Sequence, residues 1–167
     1  INNKKIIDSK LLSSSFGINC FKITTSDNQD LITKFYRKKN GDFNAIESET
    51  KNLIFLNNLK LKFFPKVHSS DSNYLIMSFI KNNEIKPNKT EEDLLNAIIS
   101  IHSHKDDKYG LNFDSQIGGL KQNNKRSDNW VDFFRDLRLG YVYELISSSY
   151  PMDDSINTKI EFLLNSL

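Results

Sequence analysis

One lysine constrains this chain more than any other residue. Over Leu31–Tyr36 the two-residue period of a strand puts Ile32, Lys34 and Tyr36 on one face. A strongly hydrated ammonium is thereby flanked by apolar side chains on its own face. A polar turn follows, and then Ile46, Glu49, Leu53 and Leu56 recur at helical steps of three, four and three. Glu49 falls on the stripe that should face inward, whereas Glu47 points elsewhere. A buried carboxylate and a buried ammonium are each costly alone, and each relieves the other when paired. The spacing therefore predicts a strand and a helix closed by a Lys34–Glu49 contact. The same residues also fit a snorkelling surface lysine and a helix-edge glutamate, and the local pattern leaves both readings open.

Composition narrows the classes. A length of 167 residues suits one ordinary domain or two small packed lobes. A hydrophobic fraction of 38%, including 12 Phe, is enough for a real core and argues against wholesale disorder. The formal charge of +2 comes from interspersed acids and bases, which gives no case for nucleic acid or membrane as partner. The lysines near Lys38-Lys39 and Lys60-Lys62 read as solvated loops. No apolar run is long enough to span a bilayer and no signal peptide is evident, so a cytoplasmic location is expected. Cys20 is the only cysteine, which rules out an internal disulfide. The first residue is Ile1 rather than Met, and a partial sequence is the expectation.

In chain order, a polar lead-in and first strand occupy Ile1–Leu12. The small-residue stretch Ser13–Asn19 precedes a second strand, Cys20–Thr24. A turn of that kind can aim backbone N–H groups at a phosphate, although with Gly17 its one glycine an ordinary hairpin fits better. Phe63-Phe64-Pro65 ends the helix pattern. Lys66–His68 reads as a short strand, and Tyr74–Ile80 as a strand covered on both faces. The polar run from Lys81 to Lys89 marks the best boundary, giving lobes 1–80 and 81–167. Five short strands with one helix inserted, then a linker and helices, make an α+β chain laid out like a kinase small lobe joined to a large one. In kinases a strand lysine held by a helix glutamate grips nucleotide phosphates.

A helix from Thr90 is expected to bury Leu94, Ala97 or Ile98, and Ile101, with His102 as a hydrogen-bonded core residue. His102, His104, Asp106 and Asp107 are competent metal ligands, but two histidines two apart on a helix diverge, so no metal site is expected. Gln122, Asn123 and Asn124 present amides that suit a hydroxyl-rich ligand, or else satisfy a long loop's own backbone. Trp130, Phe134, Leu137 and Tyr141, widened by Phe133, form a core stripe, with Arg135 and Arg138 exposed or ion-paired. A last helix, about Asp153–Ser166, carries Ile156, Ile160, Leu163, Leu164 and Leu167 on one side with nothing after it to cover them.

Tyr109-Gly110, Ile117-Gly118, Gln122 and Asn124, followed by Trp130, Phe133, Phe134, Arg138 and Leu139, closely resemble the fructosamine kinase (ketosamine kinase) family. The family patterns are F-G-x-x-x-x-x-x-I-G-x-x-x-Q-x-N and W-x-x-F-F-x-x-x-R-L. Gly17-Ile18-Asn19 looks like the end of the family's G-G-x-I-N loop, with Ser15 and Phe16 replacing its paired glycines. Leu75–Ile80 is similar to its hinge strand L-V-L-E-Y-L, with Ser78 in place of glutamate, and Leu94–His102 to its helix ending L-x-x-L-H.

The resemblance implies a protein-kinase-like fold using ATP and Mg2+ to phosphorylate a sugar hydroxyl of a ketosamine, free or protein-bound, in deglycation. It assigns Lys34 to the α/β phosphates, Glu49 to positioning Lys34, and Gly17, Ile18 and Asn19 to covering the phosphates. Met77, Ser78 and Phe79 fall to adenine, and Gln122 and Asn124 to the substrate side. Some members carry a nucleotide-loop cysteine that forms redox-linked dimers, and Cys20 lies just beyond that position. No H-G-D-x-x-x-x-N-like loop or later metal-binding aspartate is found, so catalytic residues and metal ligands are expected outside these 167 residues. The chain is then an ATP-binding portion, inactive alone, that stops inside the large lobe. Two alternatives stand beside this reading: a non-catalytic nucleotide-binding or protein-interaction module, and a kinase of the aminoglycoside or choline type.

Overall fold

Alternating side chains and short turns build a five-stranded antiparallel sheet in the order β1-β2-β3-β5-β4, seen in a computed structural model that describes residues 4–38, 43–82, 88–117 and 120–167. The strands are β1 (Ile6–Ser15), β2 (Ile18–Thr25), β3 (Asp30–Tyr36), β4 (Val67–Ser70) and β5 (Tyr74–Ser78), with helix α1 (Ala45–Asn58) inserted after β3. The chain divides into two compact units, Ile1–Lys105 and Asp106–Leu167.

Register decides which residues share a face of the first unit. Cys20, Lys34 and Leu75 lie in one cross-strand row, and Lys22, Ile32 and Met77 in the next. All six point toward α1. Ile32, Leu75 and Met77 form the core with Ile46 and Leu53 of α1, and Ile18, Cys20, Tyr36, Val67 and Phe79 pack around it. Burying these side chains supplies the main free energy holding helix to sheet. In β5 only Leu75 and Met77 are fully buried, so the expected two-sided cover is one-sided. Ser78, which ends the strand, is half-buried on its opposite side.

Helix α2 (Thr90–His102) corrects the expectation of a buried stripe. None of its side chains is buried: Leu94, Ile98 and His102 are exposed. The apolar period forms the helix, but within the first unit no partner layer covers it. His102 is therefore not a core histidine.

The second unit holds a short hairpin, β6 (Ser115–Ile117) with β7 (Leu120–Gln122), and a helical run. The resemblance residue Gly118 lies outside the described residues. The run comprises α3 (Trp130–Phe134), a π-helical segment Arg135–Gly140 and α4 (Tyr141–Ser149), followed by α5 (Asp154–Ser166). That π segment adds a residue to the turn, so the expected core stripe, drawn on an α-helical period, does not continue through it. Phe133 is the buried residue, whereas Trp130 is 50% exposed and stacks on Phe134. No residue of α5 is buried, and Ile156, Leu163 and Leu167 are about half exposed. Among the described residues no helix is long and apolar enough to cross a membrane.

Candidate functional site

Lys34 and Glu49 meet. The ammonium donates to Glu49 Oε1 at 2.6 Å, and the two side chains are 25% and 26% exposed. Of the two readings open at the sequence level, the paired one is observed. Glu47, one residue off the stripe, instead forms an exposed i,i+4 pair with Lys51 at 2.7 Å. A pair exposed to this degree contributes little to stability. Its value is geometric, because it holds an ammonium at a fixed point beneath the sheet.

Phe16 (φ 50°) and Gly17 (φ 76°) form the two-residue turn joining β1 to β2. Successive positive φ values are those of a type I′ hairpin turn. The Gly17 carbonyl accepts from the N–H groups of Arg37 and Lys38 at 2.8 and 3.1 Å, which ties the turn to the end of β3. Ile18 packs against the core beside its register partner Tyr36. Asn19 pairs with Phe35 and so points to the face opposite Lys34, where Ser14 Oγ donates to its Oδ1 at 2.8 Å. Asn19 can therefore reach the Lys34 side only through its backbone.

Toward β5 the same logic sorts Met77, Ser78 and Phe79. Met77 is buried on the α1 side. Ser78 turns away and shares a 2.9 Å hydrogen bond with His68 Nε2. Phe79 returns to the α1 side, where the Lys22 ammonium stands 4.7 Å from its ring centroid and is paired with Asp30 at 2.6 Å. The Cys20 thiol lies beside this array. Burial pushes it above its ordinary pKa, against the opposing pull of Lys34.

In the second unit the amide-rich segment is knotted to the helix after it. Backbone hydrogen bonds between Tyr109 and Ser127 (2.9 and 3.0 Å) close the loop between them. Asn124, 3% exposed, donates to Phe113 O at 3.1 Å and to Ser115 Oγ at 2.8 Å, and accepts from Arg138 at 2.6 Å. Ser115 Oγ donates in turn to Gln122 Oε1 at 3.0 Å. Arg138 also donates to Asn123 O at 2.6 Å, and its guanidinium lies 4.4 Å from the Phe133 ring centroid. Burial lowers its pKa, and no ion pair of Arg138 is found among the described residues. Gly110 (φ +96°) completes the knot: a Cβ there would meet Asn124 O at 2.7 Å and the Phe133 ring at 2.9 Å. Only glycine fits.

The fructosamine kinase family model matches residues 14–166. The chain belongs to that family. Two solved structures, each described as a "putative fructosamine-3-kinase", share its fold. The one from Thermobifida fusca has a TM-score of 0.78 at 15% identity, covering 98% of this chain and 57% of its own. The one from Haemophilus somnus has a TM-score of 0.77 at 19% identity, covering 98% and 56%. A streptomycin–ATP ternary complex of APH(2")-IIa is more distant, with a TM-score of 0.56, 21% identity and coverage of 94% and 52%. No curated protein matches the sequence. The fold is protein-kinase-like, and the chain spans a little over half the length of the fructosamine kinase structures it resembles.

Within this fructosamine kinase family chain, the residues that carry the resemblance do different work. Lys34 and Glu49 are brought together on the α1 face, and Met77 and Phe79 join them there. Asn19 and Ser78 direct their side chains elsewhere. Asn124 is committed to protein partners, and Gln122 accepts from Ser115 while remaining half-buried. Arg138, expected at the surface or in an ion pair, is a half-buried structural cation, whereas Arg135 pairs with Asp132 and Asp136 as expected. Among the described residues no three His, Cys, Asp or Glu side chains gather as a metal site. Asp106 pairs with Arg126, and His104 bonds the Ser100 carbonyl at 2.8 Å. Sequence reasoning missed Tyr36, whose hydroxyl meets the start of α1. The signal was present: Tyr36 shares a face with Lys34, and a capping-type residue, Asn44, precedes the helix.

Proposed function

We propose that this chain is the nucleotide-binding portion of an ATP-dependent kinase that phosphorylates a sugar hydroxyl of ketosamines. The carrying observation is the 2.6 Å Lys34–Glu49 pair on the α1 face of the sheet. The donor set suits a polyphosphate: an ammonium fixed by one carboxylate keeps hydrogens free for anionic oxygens. Lys34 would hold the α/β phosphates of ATP and Glu49 would keep Lys34 in place. The backbone of Gly17, Ile18 and Asn19 would lie over the phosphates, and Met77, the Ser78 backbone and Phe79 would border adenine. ATP with Mg2+ supplies the phosphoryl group and the charge neutralisation that such transfer needs. On the substrate side, Asn124 would act by shaping the loop that presents Gln122. The organisation proposed is a nucleotide lobe over residues 1–80, then a linker and the first part of a large lobe over 81–167. The cellular role would be deglycation in the cytoplasm.

The decisive experiment is magnesium–ATP titration of a longer family protein carrying this unit, with and without Lys34→Ala. Unchanged affinity would remove Lys34 from the site. Ketosamine turnover by the purified 167-residue chain would overturn the assignment of catalytic groups to other residues.

A further inference from the structure

The start of α1 is held from outside the helix. Of its backbone N–H groups, those of Ala45 and Ile46 reach the Tyr36 hydroxyl at 2.8 and 3.4 Å, and that of Glu47 reaches Asn44 Oδ1 at 3.0 Å. The Tyr36 hydroxyl donates to the same Asn44 oxygen at 3.3 Å, and Asn44 Nδ2 donates to Ser72 O at 2.8 Å. These are the donors that a helix cannot satisfy internally. Here a phenol from β3 satisfies two of them.

The spacing gives this arrangement a purpose. Tyr36 lies two residues after Lys34 on one strand face, a step of about 6.7 Å. Ala45 lies four residues before Glu49 on the helix, a step of about 6 Å. The two steps are of similar length and run in opposite chain directions, so the Tyr36–Ala45 and Lys34–Glu49 contacts tie strand to helix at two successive points. A one-residue slip of α1 would turn Glu49 by about 100° and shift it by about 1.5 Å, taking it off Lys34. We infer that Tyr36 is a positioning residue, which sets the axial register of α1 so that Glu49 meets Lys34. The inference builds on the nucleotide reading of that pair, but its geometry can be tested without nucleotide.

The test is amine-reactive labelling of the 167-residue chain by a succinimidyl ester, read by mass spectrometry at Lys34 and normalised to exposed Lys159. Glu49→Gln and Tyr36→Phe should each raise Lys34 labelling about fivefold, the factor equivalent to one net hydrogen bond. The double variant should rise no further, because Tyr36 acts through Glu49. Asn44→Ala should move Lys34 in the same direction by less. Asn57→Ala loosens the other end of α1, where Asn57 bonds Pro65 O and Val67 N, and should leave Lys34 unchanged. A merely structural role would make Asn57→Ala act like Tyr36→Phe. That result, multiplying effects in the double variant, or a Lys34 rate insensitive to Tyr36→Phe or Glu49→Gln, would overturn the inference. Magnesium–ATP shielding of Lys34 is read separately, in the longer family protein: a fivefold rise here with no shielding there removes the nucleotide reading and leaves the positioning role standing.

Discussion

The two compact units use sequence in opposite ways. In the second, the dense pattern from Tyr109 to Leu139 supplies Gly110, Asn124, Phe133 and Arg138, whose side chains or backbones touch one another. In the first, the charged pair under the sheet is two residues fifteen positions apart, on a background of ordinary strand alternation. A crowded motif records a packing problem with one solution. A sparse pair stands on a scaffold that many sequences can build. Motif density is therefore a guide to packing and says little about a charged pair held between strand and helix.

Substitutions can break this contrast. Gly110→Ala combines a left-handed φ with a backbone clash, and should destabilise the second unit by about 3 kcal/mol or more in denaturant melts. Loss of under about 1 kcal/mol would show that the knot yields easily. Arg138→Ala leaves Asn123 O and the Asn124 amide short of a donor, and should cost about 2–3 kcal/mol. In the first unit the ordering reverses. Lys34→Ala should change stability by no more than about 1 kcal/mol. In a longer protein it should weaken magnesium–ATP binding about tenfold or more, as expected for a lost charge-assisted contact.

The smallest effects are ionic and redox. Lys121 and the Asn124 N–H hold the Asp114 carboxyl below its usual range. A depressed folded-state pKa stabilises above the unfolded value, about 3.9, and is lost as pH falls through the folded value. Acid melts of the second unit should show this loss, and Asp114→Asn should flatten it. The raised Cys20 pKa predicts slow thiol labelling at neutral pH. Any oxidised dimer should be reversed by dithiothreitol, and a Cys20→Ser variant that still dimerised would remove that cysteine from the contact.

Much of the first unit was legible because the strand period and the helix period make independent predictions that agree. Two-residue alternation placed Ile32, Lys34 and Tyr36 together, and helical steps placed Glu49 opposite them. What period cannot reveal is the partner of a polar group. The amides at Gln122 and Asn124 suit a sugar or a loop equally well, and only the fold shows Arg138 answering Asn124. The π segment was illegible for a related reason: it differs from an α-helix by one residue per turn, and Arg135–Gly140 carries no local mark of it. The exposed stripe of α2 shows that amphipathic period predicts a helix better than it predicts burial.

Helix α1 is fastened at both ends. Tyr36 and Asn44 tie its beginning to β3 and to Ser72, and Asn57 ties its end to Pro65 and Val67. A rod tied at both ends cannot swing about either one without loosening the other. Withdrawing Glu49 by swinging this helix would break one set of tethers or the other, so such a swing would cost this unit about the worth of one or two hydrogen bonds.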